Sequence, residues 1–193
     1  MDENLYHLAE VALKGRVTDG AFAHCQRVAA TAADLAAAYG EDVELARLAG
    51  LLHDWDRDQT HSDLVESAAH HGVAVTEIDE RWPYLLHAKT AAAELASALP
   101  GLPPEVLSAI ANHTVGSPEM TNLDKVVLIA DSLEPARHKG NVGELRAAVG
   151  AVDLDELFAR VYQATLAQIV EHRRWIHSDT IAVWNALVAR ERG

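Results

Sequence analysis

The 193-residue chain is 49% hydrophobic, carries a formal net charge of -13 at pH 7 and contains a single cysteine, Cys25. Its length predicts one domain over residues 1–193 that folds without disulfide bonds, and its negative charge opposes non-specific binding to nucleic acid. One cysteine fits a reducing cytosol, and neither a secretory leader nor an apolar run of roughly 18 residues is visible. We therefore expect a cytoplasmic protein that does not bind membranes.

Alanine and leucine recur at helical spacing almost everywhere, and no alternating run of valine, isoleucine and threonine indicates a sheet. The sequence therefore predicts an all-α helical bundle, with a core at about 20–137 and further helices at about 142–191. The segment 72–83 is the least regular part. In chain order, helices are predicted at 2–15, 20–39, 42–52, 61–71, 87–99, 104–113, 123–133, 142–149, 153–176 and 179–191.

Six residues with metal-binding side chains lie inside or at the edge of these apolar helices. A polar group in such a position is costly unless it has a partner, and imidazole and carboxylate groups together suit divalent metal ions. His53 and Asp54 are adjacent, so their side chains point in different directions, and one can bind an ion while the other reaches a second. The six candidates are His24, His53, Asp54, His87, His113 and Asp131.

Each candidate also has an ordinary structural explanation. A single histidine beside an apolar core is more often a hydrogen-bonded core or capping residue than a metal ligand. Asp131 can pair with an arginine or lysine of another helix, and Cys25 beside His24 is interpreted as a small core residue. The chain has eleven histidines, so helical spacing by itself does not select these six residues.

The order of the candidates, H…HD…H…H…D, resembles that of the HD-domain superfamily of metal-dependent phosphohydrolases. The surrounding motifs are similar to those of its YqeK family, the bacterial symmetrical bis(5′-nucleosyl)-tetraphosphatases, from about His24 to Arg137. The HD dipeptide alone is weak evidence, whereas the ordered set of motifs is specific. The matching segments are HCQRV at 24–28, AGLLHD at 49–54, AIANHTVG at 109–116 and IADSLEPAR at 129–137.

This resemblance implies an all-α HD-domain bundle with a dinuclear metal centre in its core. Two divalent ions would be held by His24, His53, Asp54, His87, His113 and Asp131, with Asp54 bridging them and taking part in catalysis. Iron is the metal that the family suggests, and the residues alone would accept manganese equally and tolerate nickel, cobalt or zinc.

The implied reaction is the hydrolysis of dinucleoside polyphosphates by a metal-activated water, with symmetrical cleavage of diadenosine tetraphosphate to two ADP. One alternative is another nucleotide phosphohydrolase or phosphodiesterase of the HD type, because pocket shape decides the substrate. A second alternative is a nucleotide-sensing module without catalysis. The expected partner in each case is a small nucleotide.

Phosphate binding must come from metal ions and cationic side chains, because the glycine-rich phosphate loop is absent. The candidates Arg57, Arg137 and Lys139 lie close in sequence to the predicted ligands. Arg57 stands where many HD proteins have lysine, and arginine keeps its proton, so we expect it to stabilise transition-state charge. Arg137 also suits a helix C-terminus. Thr114 and Gly116 either bring the chain close to a nucleotide or only form a turn.

The two C-terminal helices carry an apolar stripe instead of further candidate ligands. We interpret this stripe as core packing or as the interface of a homodimer, with base stacking as the weaker alternative. Its residues are Trp175, Ile176, Ile181, Trp184, Leu187 and Val188.

Overall fold

The computed structural model describes residues 3–138 and 140–191. All regular elements in this part of the chain are helices, which confirms the predicted all-α class. A short 3-10 helix, Pro83–Leu86, stands between α5 and α6. The α-helices are α1 Glu3–Lys14, α2 Asp19–Tyr39, α3 Val43–Leu52, α4 His61–His71, α5 Glu77–Arg81, α6 His87–Ala98, α7 Pro104–Asn112, α8 Asn122–Leu133, α9 Val142–Ala148, α10 Leu154–Glu171 and α11 Ser178–Glu191.

The bundle is centred on α2, α3 and α8. Helices α2 and α3 pack closely together, α8 lies against both of them, and α7 contacts α3, α6 and α8. Helix α10 packs across α8, with its C-terminal neighbour α11 alongside. This arrangement brings the end of α3, the start of α6 and the end of α7 close to the middle of α2 and α8. Within the described residues, no helix has the length and apolar character that crossing a membrane requires.

Gly50 marks a close approach between α2 and α3. A Cβ atom at this position would lie 3.0 Å from the Cα atom of Ala29 and 3.1 Å from the carbonyl oxygen of Val28. Backbone atoms cannot move aside without shifting a helix, so we expect Gly50→Ala to lower the free energy of unfolding by about 1–2 kcal/mol in urea denaturation. Gly20→Ala is the control, because no described atom lies within 4 Å of its added Cβ. Equal destabilisation by both substitutions would contradict the packing explanation.

The segment 72–83 is more regular than its sequence indicated. It contains the five-residue helix α5, which begins with a capping box between Thr76 and Asp79. The Asp79 carboxylate is 2% exposed and its Oδ2 atom lies 3.5 Å from His177 Nε2. This contact from the C-terminal part of the chain supports a helix that is too short to be stable by itself.

The helix predicted over 153–176 is wrong at its C-terminal end, because α10 ends at Glu171. Arg173 has a φ of 53°, and the Arg174 backbone N–H donates to the Ile169 carbonyl oxygen, which closes the helix. The Arg174 guanidinium then lies 5.8 Å from the ring centre of Trp82. Helical periodicity continues past this point in the sequence, so tertiary contacts, and not local pattern, favour the reversal.

The apolar stripe divides between partly buried and exposed positions. Trp175 and Ile181 are 55% and 47% exposed, so core packing is wrong for these two residues. Val183, an apolar residue of α11 that is not part of the predicted stripe, is buried at 3% exposure. A homodimer interface along the exposed residues stays a prediction.

Candidate metal centre

The structure brings all six predicted metal ligands to one point inside the bundle. Five of them are buried, and the sixth, Asp131, keeps 26% of its side chain exposed toward a cavity. They come from five separate elements, so the cluster exists only in the folded chain. The six are His24 in α2, His53 and Asp54 directly after α3, His87 at the start of α6, His113 directly after α7, and Asp131 in α8.

Asp54 lies at the centre of this cluster, and its two carboxylate oxygens face different histidines. Its Oδ2 atom lies 3.4 Å from His24 Nε2 and 3.3 Å from His53 Nε2. Its Oδ1 atom lies 3.3 Å from His87 Nε2 and 3.6 Å from His113 Nε2. Two ligands of one ion lie about 3.0–3.5 Å apart when their bonds to it are near 2.1 Å. The spacing therefore suits one ion on each side of the carboxylate.

Asp131 extends the first side of the cluster. Its Oδ1 atom lies 3.1 Å from His24 Nε2 and 4.0 Å from His53 Nε2. These three side chains offer ligand atoms within 4.8 Å of one another, and Asp54 forms a second such group with the other two histidines. These two groups adjoin each other, and each has nitrogen and oxygen donors; a third group combines Cys25 with His53 and Asp54.

All four histidines turn Nδ1 toward a protein acceptor and Nε2 toward the cluster. A carbonyl or carboxylate oxygen accepts a hydrogen bond, so each Nδ1 carries a hydrogen and Nε2 is the ring nitrogen that can offer a lone pair to a metal ion. Among the described residues, the buried Nε2 atoms of His24 and His53 have no hydrogen-bond partner. These orphaned atoms fit metal ligation. The acceptors are Gly50 O for His53 at 2.8 Å, Tyr84 O for His87 at 2.6 Å, Ile110 O for His113 at 2.8 Å and Glu134 Oε1 for His24 at 3.3 Å.

Glu134 is a buried carboxylate behind the cluster that sequence reasoning did not assign to the site. Its Oε2 atom accepts hydrogen bonds from Arg27 Nε at 2.7 Å and from the Ala136 backbone N–H at 2.8 Å. Burial alone would raise the pKa of Glu134, but these hydrogen bonds lower it to about 2. An ionised carboxylate at Nδ1 orients the ring of His24 and makes its Nε2 a stronger donor to a metal. The only sequence signal was the Glu134-Pro135-x-Arg137 pattern.

We expect Glu134→Gln to weaken metal binding by about 10- to 100-fold, because an amide cannot supply the same negative charge behind His24. The measurement is a Mn²⁺ titration of the purified protein by calorimetry, with circular dichroism to verify the helix content. Glu156→Gln is the matched control, since Glu156 is exposed on α10 and pairs with Arg160. An unchanged dissociation constant in Glu134→Gln would contradict this positioning role.

The carboxylates of the cluster are held in their ionised form. Burial opposes this, but the surrounding imidazoles of His53, His113 and His24 hold the pKa of Asp54 well below its usual range. Likewise, the neighbouring imidazoles of His24 and His53 and the guanidinium of Arg137 outweigh burial and lower the pKa of Asp131. Two negative groups in an enclosed site are suited to neutralisation by cations.

His24 carries the opposite shift. Burial lowers its pKa, but the nearby negative carboxylates of Asp131 and Asp54 raise it to about 9. An incoming metal ion therefore competes with a proton on this ring. Cys25, next to it, is a poorer ligand, because burial and the charge of Asp54 raise the pKa of its thiol.

The turn that carries His53 and Asp54 is fixed by an ion-pair network. Arg16 Nη2 lies 2.5 Å from Asp56 Oδ1 and 2.7 Å from Glu94 Oε2, and Arg16 Nε donates to the carbonyl oxygen of Trp55 at 3.0 Å. Trp55 and Asp56 are both buried. The network ties the residues that follow Asp54 to α6 and to the end of α1, so the position of the HD turn does not depend on a metal alone.

A cavity of about 230 Å³ opens from the cluster, and we refer to it as the metal cavity. Three predicted substrate-binding residues, Arg57, Thr114 and Arg137, are in its wall. The buried Gly116 instead packs against Val183, Met120 and Tyr162 and makes a turn with a φ of 77°. Lys139 lies outside the described residues.

The two arginines pair with the carboxylates of the cluster. Arg57 Nη1 donates to Asp54 Oδ2 at 2.5 Å, and Arg137 Nη2 donates to Asp131 Oδ1 at 2.6 Å. Both guanidinium groups keep part of their surface exposed in the cavity wall, at 33% for Arg57 and 42% for Arg137. They are therefore available to an anion that enters.

Other wall residues carried no motif and were missed by sequence reasoning. The ring of Tyr84 lies 4.6 Å from that of His87, centre to centre. One face of α10 forms the opposite wall, and a hydroxyl of that helix, Tyr162 Oη, donates to the Val115 carbonyl oxygen at 2.6 Å. The α10 residues of the wall are Tyr162, Thr165, Leu166 and Ile169.

Comparison with known proteins places this geometry in a family. The HD domain pattern matches residues 21–136. The chain is 28% identical over 177 residues to the symmetrical bis(5'-nucleosyl)-tetraphosphatase of Bacillus subtilis, which covers 92% of this chain and 94% of that protein. It is also 28% identical over 180 residues to the protein of the same name from Halalkalibacterium halodurans, with 93% and 95% covered.

A solved structure agrees with the sequence relationship. The crystal structure of a predicted HD superfamily hydrolase involved in NAD metabolism from Clostridium acetobutylicum matches with a TM-score of 0.89 at 31% identity, covering 96% of this chain and 97% of that one. The fold, the ligand order and these matches agree, and the chain belongs to the HD-domain family.

Proposed function

We propose that this protein hydrolyses dinucleoside polyphosphates and cleaves diadenosine tetraphosphate symmetrically into two ADP. The observation that carries the proposal is Asp54, whose two oxygens face separate histidine pairs with their Nε2 atoms turned inward. The names of the relatives from Bacillus subtilis and Halalkalibacterium halodurans support the choice of substrate.

The metal ligands in this proposal are His24, His53 and Asp131 on one side and His87 and His113 on the other, with Asp54 between them. Two divalent ions bound there supply Lewis acidity and a water of lowered pKa. Iron is the metal we favour, because the mixed nitrogen and oxygen donors suit it and agree with the resemblance; the same donors accept manganese.

Arg57 and Arg137 bind and orient the polyphosphate. Both line the metal cavity, and both keep their charge, because the neighbouring carboxylates raise their pKa against the effect of burial. A guanidinium can contact two phosphate oxygens at once. Arg57 lies beside Asp54 and is therefore the residue that stabilises negative charge as the phosphate is attacked. Thr114 places its hydroxyl 3.0 Å from His113 Nε2, within reach of a phosphate oxygen.

The apolar part of the metal cavity suits a nucleoside. Leu128, Leu166 and Ile169 contribute aliphatic surface, and Tyr84 adds an aromatic ring. Such surfaces exclude water and hold a base without requiring charge. The cavity wall therefore combines cationic side chains for phosphate with apolar surface for the base.

The test is a chromatographic product analysis with purified protein, diadenosine tetraphosphate and ferrous or manganous ion, beside a chelated control. We expect ADP as the sole metal-dependent product. ATP together with AMP would contradict symmetrical cleavage, and the absence of any product would contradict hydrolysis. The Clostridium acetobutylicum protein is described as involved in NAD metabolism, so a parallel reaction with NAD, a dinucleotide with a shorter bridge, tests whether bridge length limits the substrate.

A further inference from the structure

A second cavity of about 490 Å³ adjoins the metal cavity, and we refer to it as the outer cavity. The two cavities share part of their walls. A ligand bound in the metal cavity therefore lies next to the outer cavity. Asp131 and Arg137 stand at this boundary, joined by their 2.6 Å ion pair. The shared residues are Asp131, Ser132, Arg137 and Thr165.

Helix α10 is a common wall of both cavities. Successive residues of a helix are 100° apart, so two neighbouring faces can line two neighbouring spaces. Thr165 belongs to both faces. The first face, toward the metal cavity, has Tyr162, Leu166 and Ile169, and the second, toward the outer cavity, has Val161, Ala164 and Gln168.

The outer cavity is positive although the chain has a net charge of -13. Among the described residues, its charged or titratable lining consists of Asp131, Arg137, His138 and Arg174. Arg137 neutralises Asp131, so the Arg174 guanidinium is left as excess positive charge. Aliphatic residues on α9 and α10 cover the rest of the wall. These are Val142, Leu145, Val161 and Ala164.

We propose that the outer cavity binds the second nucleoside phosphate half of the substrate, the half that leaves as ADP. The inference rests on the proposed function. Water adds its oxygen to an inner phosphorus, the central P–O bond breaks, and the departing ADP takes that electron pair and a proton. Two identical halves therefore extend from the attacked bond in different directions. Arg174 binds phosphate of the departing half, and the aliphatic wall holds its base.

The first experiment counts ADP sites on the Mn²⁺-loaded protein by calorimetry. We expect the unmodified protein to bind two ADP molecules per chain, one in each cavity. The Ala164→Phe variant should bind only one, because the phenylalanine ring fills the outer cavity. Ala167→Phe is the control, because the exposed Ala167 is on the same helix but belongs to neither wall as described. A single site in the unmodified protein, or two sites in Ala164→Phe, would overturn the inference.

The second experiment removes charge without filling space. We expect Arg174→Gln to weaken the second ADP site and raise the KM for diadenosine tetraphosphate, each by about tenfold. Arg173→Gln makes the same charge change at the adjacent exposed residue, which is not part of either described wall, and both values should stay unchanged. Equal effects of Arg174→Gln and Arg173→Gln would overturn the assignment of Arg174. This test does not depend on whether Ala164→Phe folds.

Counting ADP sites requires no turnover, so the two proposals fail separately. If ADP is the product but the protein has a single ADP site, the outer cavity does not bind the second half of the substrate, and the proposed function is unaffected. Two ADP sites without hydrolysis would refute the proposed function instead.

Discussion

Asp54→Ala is expected to reduce kcat/KM for diadenosine tetraphosphate by about 10³-fold or more, because one substitution removes a ligand from both sides of the candidate metal centre. It also removes the negative charge that faces four histidines within 3.3–3.6 Å. We expect the metal content of the purified protein to fall with the activity, measured by inductively coupled plasma mass spectrometry. Helix content should change little, because the side chain belongs to a turn.

The matched control for this experiment is Asp34→Ala, which removes an exposed carboxylate from α2. Both its metal content and its turnover should equal those of the unmodified protein. If Asp54→Ala retained full turnover, the centre of the active site would have to be elsewhere. Retained metal with lost activity would show that the other five candidate ligands hold the metal without the central carboxylate, and the bridging role would be wrong.

Arg57→Ala is expected to reduce kcat/KM by about 10²-fold while metal content stays unchanged. The guanidinium donates to Asp54 Oδ2 but offers no lone pair to a metal. We therefore expect it to stabilise the negative charge of the reacting phosphate. Arg57→Lys keeps the positive charge and should retain part of the activity. The loss should not be fully recovered, because lysine cannot make a bidentate contact with two phosphate oxygens. Activity is measured by ADP formation under saturating Mn²⁺.

Arg160→Ala is the control for Arg57, since Arg160 is an exposed arginine of α10 that pairs with Glu156. It should leave both activity and metal content unchanged. Loss of metal in Arg57→Ala would contradict the prediction, because it would show that the guanidinium mainly holds Asp54 in position. In that case the phosphate contact would have to be assigned to Arg137 alone.

Local sequence signals determined most of the helices. The eleven-residue helix α4 was predicted at its observed bounds. Thr60 caps its N-terminus, and Gly72, in the left-handed conformation, caps its C-terminus. These signals are short-range, because a cap and a periodic face act within a few residues of one another. The end of α10 was different. Its reversal at Arg173 is accompanied by contact between Arg174 and Trp82, two residues far apart in sequence.

The sequence by itself also identified the six candidate ligands, because their order and motifs resemble a family whose chemistry requires those residue types. It could not show how they are arranged. The separate histidine pairs at the two oxygens of Asp54, and Glu134 behind His24, depend on side-chain directions from five packed elements. The sequence also could not show that Gly116 packs against buried side chains and does not line the metal cavity.

Residue type and local pattern thus determined the fold class and most helices, and the resemblance to a family named the candidate ligands. Only the tertiary structure decided which lone pairs face inward, which arginines remain accessible and that a second cavity adjoins the first. The physical reason is that chemical identity and helical period are properties of neighbouring residues, whereas a metal centre and a binding cavity are formed by atoms that meet only when the helices pack.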